Sequence, residues 1–165
     1  MKQEKTNVMR LLDKHGISYR AYSYSGTGAL SGTEVAEVLH QPPAQVFKTL
    51  VTVGGSGGHF VFLVPVAQSL SLKKAARAVH EKSIEMLPSK QLLPLTGYIH
   101  GGCSPLGMKK QFPTVIDASA RHFDTILFSG GKIGFQVELA LSALQTLLPF
   151  SFYDICEPSK ATISD

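Results

Sequence analysis

Only two cysteines, Cys103 and Cys156, occur in the 165 residues, which excludes a disulfide-rich scaffold. Neither belongs to a CxxC pair, so no zinc-ribbon or redox-dithiol spacing is present. HExxH is absent as well, and the six histidines are scattered along the chain, so no metal is expected. No run approaches the roughly 20 apolar residues that a membrane span needs. The opening stretch MKQEKTNVMRLLDKHG is charged throughout and has no apolar segment of signal-peptide type. A soluble, cytoplasmic protein without a membrane partner is the expectation. Internal repeats and interdomain linkers are missing too.

What is present fits an ordinary folded domain. A hydrophobic share of 44% with 15 Gly and 9 Pro is neither disordered nor collagen-like. At this length a single domain is the default, and its core needs no disulfide or metal to hold it. That domain is expected over 1–156, followed by a C-terminal tail over 157–165. The net charge of +4 hints at an anionic partner without defining one.

The hydrophobic pattern gives a mixed order of elements. Residues 6–15 predict a helix capped by Thr6 and stopped at Gly16. Residues 17–24 predict a strand and 25–28 a turn. Ser31 and Glu34 make an S-x-x-E capping box for a helix that ends before Pro42 and Pro43. Residues 46–53 and 60–65 read as a β-hairpin about a glycine-rich loop. Short helices are expected at 71–79 and 89–95, with a strand at 83–86 between them. Residues 114–117, 125–129 and 135–139 predict strands, the last two joined by the tight turn SGGKIG. A helix through Leu141, Leu144 and Leu148 and a last strand at 150–156 complete the chain. The absence of regular βαβ alternation favours an α+β fold around a mixed, mostly antiparallel sheet.

Residues 54–58, GGSGG, match G-x-S-x-G literally. The hydrolase elbow requires a strand, a strained turn and then a helix. Both flanks here read as strands, so a hairpin tip is expected. GGKIG lacks the spacer of a phosphate loop and has Ile133 where Ser or Thr belongs. Lys48 interrupts an apolar strand on the side of Val46 and Leu50. It is either an edge-strand lysine pointing to solvent or a cation aimed into a cleft. GGCSPLG, residues 101–107, is either a surface turn or a loop whose amides approach a ligand closely. No histidine or helix N-terminus is set beside Cys103 by sequence, so it is taken as structural. Lys73, Lys74, Arg77, Lys109 and Lys110 are either a phosphate-attracting rim or a solvated face.

Together, FKTLV (47–51), LKKAA (72–76), GGCSPLGMKK (101–110), FSGGKIG (128–134) and VEL (137–139), with the opening KTNVMRLLDKHGI, resemble the YbaK/EbsC family of aminoacyl-tRNA deacylases. The resemblance runs from about residue 5 to 156 with the motifs in order. The family is related to the editing domain of prolyl-tRNA synthetases. It implies a partly barrel-like sheet surrounded by helices and no cofactor. Lys48 falls on the FKT lysine required for activity. Gly101, Gly102 and Pro105 fall on the G-x-x-x-P loop whose backbone holds the scissile carbonyl. Tyr24, Thr49, Ser129, Gly130 and Gly131 fall on pocket positions. Ala29, Leu30 and Ser31 depart from relatives that carry a His or an aromatic residue there.

The resemblance implies trans-editing of mischarged Cys-tRNA(Pro), held by its acceptor end, with prolyl-tRNA synthetase as a partner. The substrate's own thiolate then attacks its ester carbonyl, and a thiolactone is released. Two other readings stay open: deacylation of Ala- or Pro-tRNA, and a non-catalytic module that binds aminoacyl or nucleotide ligands.

Overall fold

A computed structural model describes residues 4–158. The chain runs α1 (Asn7–Lys14), β1 (Arg20–Ser23), α2 (Gly32–Val38), β2 (Phe47–Gly54), β3 (His59–Pro65), α3 (Leu72–Ala78) and β4 (Ile84–Met86). It continues with α4 (Ser89–Thr96), β5 (Thr114–Asp117), β6 (Thr125–Ser129), β7 (Phe135–Ala140), α5 (Leu141–Leu147) and β8 (Ser151–Tyr153). Two 3₁₀ turns, Pro43–Gln45 and Ala118–His122, are additions to the expected elements.

The helix ends follow local chemistry. Thr6 Oγ1 accepts from Met9 N at 3.2 Å. Ser31 and Glu34 form the reciprocal capping box, and Ser71 accepts from Lys74 N at 3.2 Å. Gly97 leaves α4 in the left-handed region, where an L side chain is strained. The G-x-S-x-G stretch is a hairpin tip: Gly54 N donates to Gly58 O at 2.8 Å, and Ser56 Oγ is held by Glu81.

The strands form two sheets, β1-β7-β6 and β4-β2-β3-β5-β8. Pairings are antiparallel except β3–β5 and β5–β8. A parallel bridge between Val46 and Leu127 joins the sheets at the start of β2 and gives the partly barrel-like closure. The main core lies between the sheets under α1 and α5, with Leu12, Phe47, Phe128 and Leu144 almost fully buried. Burial of each such side chain contributes about 1.5–3 kcal/mol. A second core packs α3 through Ala75 and Ala76 onto Phe62 and Val64. Asp117 ties the chain end to β5: its carboxylate accepts from Ser119 N at 3.1 Å and Ile155 N at 3.0 Å. Burial alone would raise its pKa, but these bonds outweigh it and hold the carboxyl below the usual value. Of the expected tail, Glu157 N donates to Ser69 O at 2.8 Å, and residues 159–165 lie outside the described residues. No helix among the described residues is long and apolar enough to cross a membrane.

Candidate functional site

β4 pairs only with residues 52–54 of β2, and Val46 is taken by its bridge to Leu127. Leu87 N also donates to Val51 O at 3.1 Å, so among the described residues the stretch 47–50 is a sheet edge without a strand partner on that side. A cavity of about 460 Å³ opens along it. Because the cavity meets an edge, both faces of β2 reach it: Phe47, Thr49 and Val51 from one, Lys48 and Leu50 from the other. Tyr24, Ser129 and Gln136 close it from the three-stranded sheet side, and His100, Gly101 and Cys103 come from the glycine-rich loop. Leu30, Met86, Leu87 and Leu92 make much of the remaining wall apolar, with Leu30 85% exposed.

Tyr24, Lys48, Thr49, Gly101 and Ser129 thus meet in one cavity. Gly102, Pro105, Gly130 and Gly131 are not among its lining residues. The expectation that the Gly102 amide faces a ligand is corrected, because that N–H donates to Ile99 O at 3.0 Å. Gly102 instead lets two loops close up. A Cβ there would sit 3.1 Å from Ile133 N and 3.4 Å from Lys132 Cα. Gly130 N is bound to Phe135 O at 2.9 Å and Gly131 N to Ser129 Oγ at 3.1 Å, so both shape the β6–β7 turn. Pro105 is buried and borders a separate cavity of about 290 Å³ with Leu11 and His15. The 101–107 and 129–134 loops, apart in sequence, form one packed unit beside the cavity.

Lys48 is half-buried, and burial holds its ammonium below the usual lysine value; Cys156 is the one group that opposes this. It takes part in no salt bridge among the described residues. An unpaired, partly desolvated cation on a cavity wall attracts an anionic or carbonyl oxygen. Lys74, by contrast, is tied to Asp154 at 3.1 Å, and none of Lys73, Lys74, Arg77, Lys109 and Lys110 lines the cavity.

His100 lies three residues before Cys103, and the cavity has both on its wall. They form no Cys-His dyad: no hydrogen bond joins them among the described residues, and burial pushes the Cys103 thiol up to about 12. An activated thiol is shifted the opposite way. Cys156 is also pushed up to about 12, by burial and then by the Asp117 carboxylate. Both protein thiols therefore stay protonated near neutral pH. Gln136 is the other residue that pattern reading missed. Its place in FQVEL alternates with Phe135 and Val137, which reads as a solvent face, whereas it is 8% exposed. Among the described residues no group of three or more His, Cys, Asp or Glu side chains is placed to hold a metal.

Comparison with known proteins gives the family. The model of the aminoacyl-tRNA editing domain matches residues 28–147. A protein of Enterococcus faecalis named "Putative Cys-tRNA(Pro)/Cys-tRNA(Cys) deacylase EbsC" is 46% identical over 154 residues, 93% of this chain and 94% of that one. Two solved structures share the fold. One is described as "a putative trans-editing enzyme for prolyl tRNA synthetase" (TM-score 0.79, 23% identity, 94% of this chain and all of that one). The other is the "hypothetical protein APE2540" (TM-score 0.83, 18% identity, 92% of this chain and all of that one). The sequence motifs, the two-sheet fold and the matched relatives converge, and the chain belongs to the aminoacyl-tRNA editing domain family, among the YbaK/EbsC proteins.

Proposed function

We propose that this protein is a trans-editing deacylase that hydrolyses the ester of mischarged Cys-tRNA(Pro), with the substrate's thiolate as nucleophile. The observation that carries this reading is the pairing of an unpaired Lys48 with protein thiols that remain protonated in and near the cavity. The 46% identity to the enterococcal protein named a deacylase supports it.

In this mechanism the cysteinyl group enters along the β2 edge. Lys48 holds an oxygen of the ester or of the terminal nucleotide. The loop at Gly101 offers backbone N–H to the developing oxyanion. The substrate sulfur forms a bond to its own carbonyl carbon, and the carbonyl–O3′ bond breaks. The tRNA oxygen leaves and takes a proton, and a four-membered thiolactone remains for water to open to cysteine. A free thiol with pKa about 8.5 supplies enough thiolate near neutral pH without a protein base. The protein contributes position and charge stabilisation.

The side chains at the cavity carry no dense basic patch, so tRNA identity is assigned to association with prolyl-tRNA synthetase. The test is single-turnover discharge with excess protein. Cys-tRNA(Pro) and Cys-tRNA(Cys) are expected to react at similar rates, and Ala- and Pro-tRNA(Pro) at least about 10-fold more slowly; size alone separates such side chains by 1–3 kcal/mol. Cys103→Ala is expected to stay within about twofold of wild type, because a buried thiol held protonated is no nucleophile. Faster discharge of Ala- or Pro-tRNA would transfer the activity to that substrate, and a large loss in Cys103→Ala would restore a protein nucleophile.

A further inference from the structure

Charge is unevenly placed around the cavity. α2 lines it through Gly32, Thr33 and Val35, and carries Glu34 and Glu37 with no lysine or arginine. The loop at Gly101 has the opposite surroundings. A groove of about 530 Å³ runs between the start of α1, Tyr98 and the β6–β7 turn, and Lys5, Arg10 and Lys132 line it against one carboxylate, Glu4. One layer of chain separates groove and cavity. Gly101 lines the cavity, and a Cβ on the next residue, Gly102, would sit 3.4 Å from Lys132 Cα. Lys132 and its neighbour Gly131 line the groove.

The cations of the groove are open to an incoming anion. Lys132 pairs with Glu4 and Lys5 with Asp13, and all four side chains are 42–59% exposed. Such exposed pairs contribute little to stability, so a more highly charged anion displaces the carboxylate at small cost. Arg10 is exposed and takes part in no salt bridge among the described residues. Its Nη1 donates to Asn7 Oδ1 at 3.0 Å, which leaves most of its donors for an anion. A guanidinium fork matches the oxygens of a phosphate. The described lining has no aliphatic side chain. That suits a hydrated, charged strand better than the apolar centre of a protein interface.

Resting on the deacylase reading, we propose that this groove holds the sugar–phosphate backbone of the tRNA acceptor end while the terminal aminoacyl nucleotide occupies the cavity. Arg10 and Lys132 each take a phosphate oxygen, and Glu4 releases Lys132 to it. The β6–β7 turn then serves both sites, packing on the Gly101 loop and carrying a phosphate contact. Backbone contacts position a nucleic acid without reading its sequence. The groove therefore adds affinity for any tRNA and leaves tRNA identity to a partner.

The test separates the groove from the reaction. Binding of uncharged tRNA(Pro) is measured by fluorescence anisotropy for wild type, Arg10→Glu and Lys132→Glu. Lys73→Glu, on an exposed position of α3 outside both groove and cavity, makes the same change in net charge and is the control. Arg10→Glu and Lys132→Glu are each expected to weaken binding about 10-fold at low salt and to lower the slope of log K against log salt by about 1, with Lys73→Glu within about twofold of wild type. In discharge, Arg10→Glu is expected to raise KM for Cys-tRNA(Pro) about 10-fold with kcat within about twofold. It should discharge 3′-O-cysteinyl-adenosine, which has no phosphate, as wild type does. Unchanged affinity in Arg10→Glu and Lys132→Glu would overturn the groove and leave its cations to an anionic partner other than RNA. Equal losses in all three variants, or an equal loss on cysteinyl-adenosine and on Cys-tRNA(Pro), would overturn it too. Discharge by wild type with unchanged affinity in the variants defeats the groove alone. Weakened tRNA binding in the variants with no discharge by any protein defeats the deacylase reading and leaves the groove as an RNA site.

Discussion

Replacing Lys48 with alanine lowers the rate of Cys-tRNA(Pro) discharge by about 10²- to 10³-fold, the size of effect seen when one preorganised charge-stabilising donor is removed. The expectation rests on a cation that has no salt-bridge partner among the described residues and stands on the cavity wall. Lys48→Met separates function from fold, because it keeps the length of the side chain and discards the charge. Burial lowers the Lys48 pKa in the folded protein relative to 10.5. Below that lowered value the lysine is charged in both folded and unfolded chains, and folding bears the full cost of desolvating it. The cost is relieved as pH rises from the lowered value toward 10.5. Lys48→Met is therefore expected to match or exceed wild type in Tm while losing activity as the alanine variant does. A Lys48→Met protein with normal turnover would remove lysine from the mechanism. One with a collapsed Tm would make the residue structural.

The second large effect is expected at Gly101. Its φ is +88°, in the left-handed region that costs an L residue about 1–2 kcal/mol. Space is not the obstacle, since a Cβ would meet only the Ile133 side chain, Cγ1 at 3.5 Å and Cδ1 at 3.6 Å. Gly101→Ala should therefore fold, with the loop relaxed away from its geometry at the cavity wall. Discharge is expected to fall about 10²-fold. Gly57, at the β2–β3 hairpin tip with φ +92° and nothing within 4 Å, is the control. Gly57→Ala introduces the same kind of backbone strain far from the cavity and should cost a similar few degrees of Tm with turnover unchanged. Parallel loss of activity in both variants would mean that stability, not the Gly101 loop, sets the rate.

Much of the fold can be read from local signals, and the reasons differ by element. The capping box at Ser31 and Glu34, the stop at Gly97 and the hairpin through residues 54–58 are short-range chemistry, and each stands where its residues place it. Residues 114–117 and 125–129 read as strands and form β5 and β6 with those bounds. Partner choice is another matter. β1 pairs with β7, with Arg20 opposite Glu138, and nothing in a period-two pattern names a partner more than a hundred residues away. The split into two sheets, and hence the unpaired β2 edge that creates the cavity, follows from such long-range pairing. The site shows the same division. Lys48 and Gly101 stand out as misfits in their local patterns. Gln136 does not, because a polar residue on alternate positions of a strand is what a solvent face looks like. His100 lies three residues before Cys103, but turn composition does not say that both face one cavity. The Gly102 amide, expected to be free, is satisfied locally by Ile99, a bond that turn composition does not foretell.

The central claim is that the decisive cysteine belongs to the substrate. It is tested most directly by comparing discharge of Cys-tRNA(Pro) and Ser-tRNA(Pro) by the wild-type protein under single-turnover conditions. The two substrates differ by sulfur against oxygen, and both retain the α-ammonium and the ester. A positioned intramolecular nucleophile carries an effective molarity of about 10⁵–10⁸ M, and the far less acidic hydroxyl forfeits it. The account predicts discharge of Cys-tRNA(Pro) on the order of 10³-fold faster or more. Rates within about tenfold of each other would contradict it and place the nucleophile on the protein or on water.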